Sequence, residues 1–209
     1  MSKKKNLLIS STIKAKSWLN NIDDNYSKIK IKELLDDNDK TNLIEAFHKN
    51  LEFGTGGLRG EIGIGSNKIN NYTIGLATQG LSNYLKKNFN GSIKVSIGYD
   101  TRLFSKEFAY EAAIIFSSNN IKSYLFSDIR PTPLVSYAVR KLNCQCGIMI
   151  TASHNPKEYN GYKVYWSDGG QIVYPHDINI INEVNKLDDI STVSYTRLRA
   201  HETKWHLVC

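Results

Sequence analysis

The chain has 209 residues, 41% of them hydrophobic, and its 27 Lys and Arg against 20 Asp and Glu give a net charge of +7. That length fits one large domain or one domain with an extension, and that apolar content excludes a disordered chain. The basic excess suits anionic partners, phosphosugars and nucleic acids alike. The lysines are scattered and form no arginine-rich stripe interleaved with aromatics, so nucleic acid is set aside as a partner.

Residues 1–5 are basic, but the apolar run behind them is just Leu7-Leu8-Ile9, too short for a signal-peptide core. No stretch approaches the roughly 18 apolar residues of a membrane span. The chain therefore reads as cytoplasmic, with no membrane partner. Residues 6–50 are predicted helical, with Leu34, Leu35, Leu43, Ile44 and Phe47 on one face and a break into two helices at Asp36-Asp37-Asn38-Asp39. That acidic cluster lacks the glycine and the distant glutamate of a calcium loop, so a solvated turn is expected. A segment with glycines at 54, 56, 57, 60, 63 and 65 follows. Glycines let backbone approach an anion closely, but no Gly-Lys-Ser/Thr follows, so this is no P-loop; a flexible connector is the plainer reading.

A helix is expected over 74–89, where Ile74, Ala77, Leu81 and Leu85 recur at helical spacing and Asn90-Gly91 stops it. A strand with β-branched residues at alternate positions covers 93–99. Ser105 stands where it would cap the next helix, whose stripe is Phe108, Ala112, Ile115 and Phe116. Residues 122–126 read as a short strand. Pro133 suits the start of a helix whose inward face is Leu134, Val135, Ala138, Val139 and Leu142. Residues 146–150 are a buried strand, and Pro175 opens a last helix carrying Ile178, Ile181 and Val184. Alternating strands and helices predict an α/β layered domain, a mixed β-sheet flanked by helices. Cys144, Cys146 and Cys209 are odd in number, and C-x-C without nearby histidines is a poor zinc signal, so the first two are expected to pack as small reduced side chains.

Between the strand at 146–150 and a second extended stretch at 157–166 lies Thr151-Ala152-Ser153-His154-Asn155-Pro156. A small polar loop stopped by proline between two strands holds a serine hydroxyl out for chemistry. Gly98-Tyr99-Asp100-Thr101-Arg102 falls at another strand end, and open α/β sheets collect ligands beyond the carboxyl ends of their strands. Taken singly, Ser153 is as well read as an ordinary loop serine, His154 as a hydrogen-bonded loop histidine and Lys163 as a solvent-facing strand lysine. Asn155 is expected to fix the loop through its side chain, and Asn160-Gly161 reads as a tight turn.

Four segments in order carry a resemblance across residues 40–190. Phe53-Gly54-Thr55-Gly56-Gly57-Leu58-Arg59-Gly60, the strand-end motif at 98–102, Pro131-Thr132-Pro133 and the serine loop together resemble the amino-terminal domain of the alpha-D-phosphohexomutases, the phosphoglucomutase/phosphomannomutase superfamily. The resemblance implies that Ser153 is phosphorylated at rest, passes its phosphoryl group to a hexose monophosphate, and recovers the other phosphate from the bisphosphate so formed. The net reaction is isomerisation between hexose 1-phosphate and 6-phosphate. It makes Lys163 the acid/base, sets His154 beside the phosphate and has Arg59 neutralise it. Thr55, Gly57, Arg59, Arg102 and Asn155 become the substrate- or phosphate-binding set; for Arg102 a salt bridge to a local carboxylate is an equal alternative. The implied cofactors are Mg2+ on the Ser153 phosphate and a hexose 1,6-bisphosphate activator.

The family's enzymes have four domains, and the second supplies an Asp-x-Asp-x-Asp-Arg magnesium loop that this sequence lacks. The expected organisation is a helical extension at 1–50, the phosphoserine domain at 51–190, on which the missing domains would pack, and an atypical tail at 191–209. Arg197, Arg199, His201, Trp205 and His206 shift the tail's composition, which reads as a frameshift or an early stop, or as a short tail folded on the domain. The isolated chain is expected to have little mutase activity. A non-catalytic phosphosugar-binding module and an inactive fragment are the rival readings, and pentose or glucosamine phosphates are rival substrates.

Overall fold

A computed structural model describes residues 3–54, 56–187 and 190–194, and the backbone of 205–208. Three helices open the chain: α1 (Lys3–Asn21), α2 (Asn25–Asp36) and α3 (Thr41–Phe47). The sequence pattern predicts two. The extra break falls at Asp24, whose carboxylate accepts the Ser27 N–H at 2.7 Å and so starts α2 as an N-cap. Ahead of α3 the N-cap position falls to Lys40, which makes no side-chain cap bond, while Asp39 before it accepts the Thr41 N–H at 2.9 Å and the Thr41 hydroxyl at 2.6 Å. Ala15, Trp18, Ile22, Ile31, Leu43, Ala46 and Phe47 bury into a small core of their own, with Trp18 edge-on to Phe47 and to Tyr72.

The glycine-rich segment is a hairpin, not a connector. β1 (Phe53–Gly54) pairs antiparallel with β2 (Gly57–Glu61). There follow α4 (Asn71–Asn88), β3 (Lys94–Tyr99), α5 (Ser105–Ser118), β4 (Lys122–Phe126), α6 (Thr132–Lys141), β5 (Cys146–Ile150), β6 (Tyr159–Trp166), α7 (His176–Asn185), a 3-10 turn at Ile190–Thr192 and β7 (Trp205–Val208). The sheet order is β1-β2-β6-β5-β3-β4-β7. β5, β3, β4 and β7 run parallel, while β6, β2 and β1 join by antiparallel pairing. The fold is thus the mixed α/β sheet with helices on both faces that the alternating pattern predicts.

α4 starts at a capping box in which Asn70 and Thr73 satisfy each other's N–H groups. With α5 and α7 it covers one face of the sheet, packing Ile74, Leu81, Leu85, Ala112, Phe116 and Ile180 on Val95, Ile97, Ile148, Ile150 and Val164. On the other face α6 packs Val135, Ala138 and Val139 against Met149, Tyr165 and Phe126. β5 lies between the two layers, and all five of its residues are buried.

Four local expectations change. Ser105 is the first residue of α5 and not its cap; Phe104 takes the cap position at φ 60°, and Ser105 Oγ instead donates to the Asp100 carboxylate at 3.0 Å. Asn160 and Gly161 lie inside β6, paired with Gly60 and Arg59, and make no turn. Leu134 is 39% exposed, on the outer side of α6. In α7 it is Ile180 that is buried, while Ile178 is 47% exposed, so the buried stripe is rotated from the expected one.

Candidate active site

The parallel strands β3, β4 and β5 end on one rim of the sheet, and the loops that leave them carry Asp100–Arg102, Pro131–Pro133 and Ser153. Ser153 is exposed and has φ 58°, a left-handed backbone unusual for a residue with a Cβ. Its own N–H donates to Thr151 Oγ1 at 3.0 Å, and the Asn155 N–H donates to the Ala152 carbonyl at 3.1 Å. The loop is therefore a tight main-chain turn with the serine at its crest. Asn155 holds it through its backbone; its Oδ1 is buried with no hydrogen-bond partner.

Lys163 comes from the neighbouring strand. Its Nζ donates to Ser153 Oγ at 3.2 Å. β6 places it there by register: Lys163 lies opposite Met149 on β5 and opposite Gly57 on β2. Arg59 lies opposite Gly161, so Arg59 and Lys163 are diagonal neighbours on one face. Glycine at both opposing positions removes the side chains that would fill this space. Both are also demanded by backbone packing, since a Cβ on Gly57 would lie 1.8 Å from the Tyr162 carbonyl oxygen and one on Gly161 2.6 Å from that of Leu58. The lysine is half-buried; burial and the adjacent Arg59 charge push its pKa down, with Asp100 opposing. A lysine so perturbed is easier to deprotonate than a surface lysine.

This pair stands on the part of the sheet that α6 leaves open, over a cavity of about 610 Å³. The far side of that cavity is built by Glu45 of α3, Glu61 of β2 and Lys68, whose Nζ reaches the two carboxylates at 2.5 and 2.6 Å. Burial would lower the Lys68 pKa, but the two carboxylates outweigh it and hold it raised. Lys49 there pairs with Glu52 at 3.0 Å. Neither Arg59 nor Lys163 has a salt bridge among those of the described residues. Of the cavity's cations, Arg59 and Lys163 thus stand outside these salt bridges, and Lys163 is the one that reaches Ser153.

Arg102 sits under the loop. Its guanidinium donates to the carbonyls of Ser153, Asn155, Pro156 and Tyr159 at 2.6 to 2.9 Å, and its Nε lies 3.8 Å from Asp100. His154 is exposed beside Ser153. Thr55 lies outside the described residues. Sequence reasoning did not select Asp100, which accepts the Arg102 N–H and the Ser105 hydroxyl, both at 3.0 Å. An aspartate two residues before an arginine at a strand end is the signal that could have found it. Gly161 was missed because Asn-Gly reads as a turn. Glu45 and Lys68 carry no local signal; the fold alone brings them to the cavity.

Among the described residues no three His, Cys, Asp or Glu side chains gather as a metal cluster. Mg2+ takes about six oxygen ligands, and a phosphate on Ser153 would give it one foothold. The described residues therefore do not make a magnesium site by themselves. No helix among them is long and apolar enough to cross a membrane.

An α/β domain that sets one exposed serine at its strand ends within reach of a lysine, with an arginine on the same face, is suited to a domain that handles a phosphoryl group. The comparisons agree. The family model "Phosphoglucomutase/phosphomannomutase, alpha/beta/alpha domain I" matches residues 50–191, and the chain belongs to this family. A phosphopentomutase of Mus musculus is 44% identical over 164 residues, 75% of this chain and 26% of the relative. A phosphoglucomutase of Staphylococcus haemolyticus is 43% identical over 169 residues, 78% of this chain and 30% of the relative. A candidate phosphomannomutase of Thermus thermophilus superposes with a TM-score of 0.60 at 32% identity, over 65% of this chain and 30% of that structure. The chain thus spans less than a third of each of these relatives.

Proposed function

We propose that this chain is the phosphoryl-carrying domain of a phosphosugar mutase, an intramolecular phosphotransferase that works through phosphoserine at Ser153. The observation that carries the reading is the Lys163 Nζ donating to Ser153 Oγ at 3.2 Å, with Arg59 on the same open face. In the forward half-reaction a hydroxyl oxygen of a hexose monophosphate attacks the phosphorus on Ser153. The O–P bond to the sugar forms as the Oγ–P bond breaks. Lys163 gives the proton to Oγ and recovers one from the proton set free by the sugar hydroxyl. Arg59 neutralises charge on the phosphoryl oxygens as they pass, the kind of positioning and electrostatics that governs such transfer. The reverse half uses the same groups in the opposite order and returns the other phosphate to Ser153.

Hexose 1- and 6-phosphates are the first substrate pair. A pentose phosphate is the second reading, supported by the identity to the relative named phosphopentomutase. Cys144 and Cys146 are free and buried, which suits a reducing, cytoplasmic setting.

The test is to incubate the 209-residue chain with glucose 1,6-bisphosphate and follow the intact mass. One phosphoryl group is expected to appear, to map to Ser153 and to be absent from Ser153→Ala. Hexose and pentose monophosphates added to the phosphorylated chain then compete as acceptors, and the faster one names the substrate class. A chain that binds sugar phosphate saturably and takes up no phosphoryl group sinks the reading in favour of a binding module.

A further inference from the structure

We propose that Arg102 is a positioning residue that acts on Ser153 through the loop backbone and makes no contact with phosphate. This rests on the reading of Ser153 as the phosphoryl carrier. Each terminal guanidinium nitrogen carries two N–H groups. Nη1 spends its pair on the carbonyls of Pro156 at 2.8 Å and Tyr159 at 2.9 Å. Nη2 spends its pair on those of Ser153 at 2.8 Å and Asn155 at 2.6 Å. The remaining Nε faces Asp100 at 3.8 Å. No edge of the fork is left for an anion, and the side chain is 12% exposed.

These four carbonyls span the loop from the reactive serine to the first residue of β6. In such a turn they converge and would repel one another without a cation among them. The Ser153 carbonyl belongs to the residue held at φ 58°, so the guanidinium stabilises the backbone that lifts the hydroxyl towards Lys163. Arg102 is itself fixed. Asp100 Oδ1 accepts its N–H and the Ser105 hydroxyl, and the buried Asn160 side-chain amide donates to Ser105 Oγ at 3.0 Å and to the Leu103 carbonyl at 2.9 Å. The chain of contacts runs from β6 through the loop after β3 to Arg102 and then to the serine.

A planar fork with four donors is what this job needs, and a lysine cannot copy it. A phosphate ligand, by contrast, would be served in part by lysine's charge. The experiment compares the 209-residue chain with Arg102→Lys and Arg102→Ala by two readouts. One is amide hydrogen exchange, without any substrate, in peptides covering 153–159. The other is the rate of phosphoryl uptake from glucose 1,6-bisphosphate at varied concentration. In both variants loop exchange is expected to rise about tenfold or more while the amides of β3 and β5 keep their protection. The limiting rate of uptake is expected to fall about 100-fold, as misplacement of a reacting group by about 1 Å does, with less than about a threefold change in the half-saturating concentration. Unchanged loop exchange overturns the proposal. So does rescue by Arg102→Lys, or a raised half-saturation at an unchanged limiting rate, each of which marks a phosphate contact. If Arg102→Ala fails to fold, the lysine variant decides by the same criteria. If the loop loosens but the wild-type chain takes up no phosphoryl group, the failure lies with the phosphoryl-carrier reading, and the backbone clamp stands.

Discussion

At the scale of the residue, the most informative group is Lys163. Burial comes first among the causes that depress its pKa, and the Arg59 guanidinium comes second. The second cause can be removed without touching the lysine. Arg59→Gln is expected to raise the Lys163 pKa and to move the pH limb of phosphoryl uptake upward, a shift that an Nζ NMR titration would show independently of chemistry. An unmoved titration would mean that solvent screens the pair completely. The sign for stability follows from the same depression. The unfolded chain binds more protons to this lysine than the folded one between the depressed value and the ordinary 10.5, so its charge opposes folding below that window and the penalty lifts as pH rises through it. Ser153, Lys163 and Arg59 were picked out through a family resemblance carried by local motifs, and the structure brings Lys163 Nζ to 3.2 Å from Ser153 Oγ. Their company was not legible: Asp100, Gly161 and the Glu45–Lys68–Glu61 group are joined by strand register and by α3, which no window of sequence displays.

At the scale of the element, the parallel strands were readable because burial on both faces demands runs such as Cys146 to Ile150. β1 and β2 were not, since glycines at 54, 56, 57 and 60 erase the alternation that marks a strand. Gly57 is there for close approach: it has φ 135° as well as the Tyr162 carbonyl in the place of a Cβ. Gly57→Ala is therefore expected to cost about 1–3 kcal/mol of stability, read as a lower urea midpoint at constant slope, and to weaken the β2–β6 pairing that aligns Arg59 with Lys163. A wild-type midpoint would show that the hairpin can shift at no cost. The missed break before α2 gives a second measurement. Asp24 caps Ser27 and accepts a hydrogen bond from the Tyr72 hydroxyl on α4, so it ties the helical extension to the sheet domain. Burial pushes its carboxyl up, but the bonds from Tyr72 and Ser27 outweigh that and hold it below the ordinary 3.8. Its contribution is complete above that ordinary value and is lost as pH falls through the depressed one. Asp24→Ala is expected to lose about 1–2 kcal/mol at neutral pH, and the difference from wild type should close in acid.

At the scale of the whole molecule, large exposed apolar side chains stand in several groups, among them Ile9 and Ile13 on α1, Tyr26 and Ile29 on α2, Leu103 and Phe104 before α5, and Val173, Tyr174 and Ile178 around the start of α7. Ile129, Leu134 and Tyr137 are exposed on the loop before α6 and on that helix's outer side, and the loop enters α6 from the rim that also carries Ser153. Leu134 and Tyr137 are three residues apart and share a helix face. The sequence pattern assigns Leu134 to the core because its period matches; helical spacing fixes a stripe but not its edges. Exposed apolar side chains grouped in one place favour self-association. With a net charge of +7 to keep copies apart at low ionic strength, that association should strengthen as salt screens the repulsion. Light scattering of the 209-residue chain is therefore expected to rise with added salt, and Leu134→Gln with Tyr137→Gln should suppress the rise while leaving the circular dichroism and the thermal midpoint in place. Scattering that ignores both salt and the double substitution would place the sticky surface elsewhere. Suppression would leave a monodisperse chain in which phosphoryl uptake by Ser153 can be measured without association masking the rim.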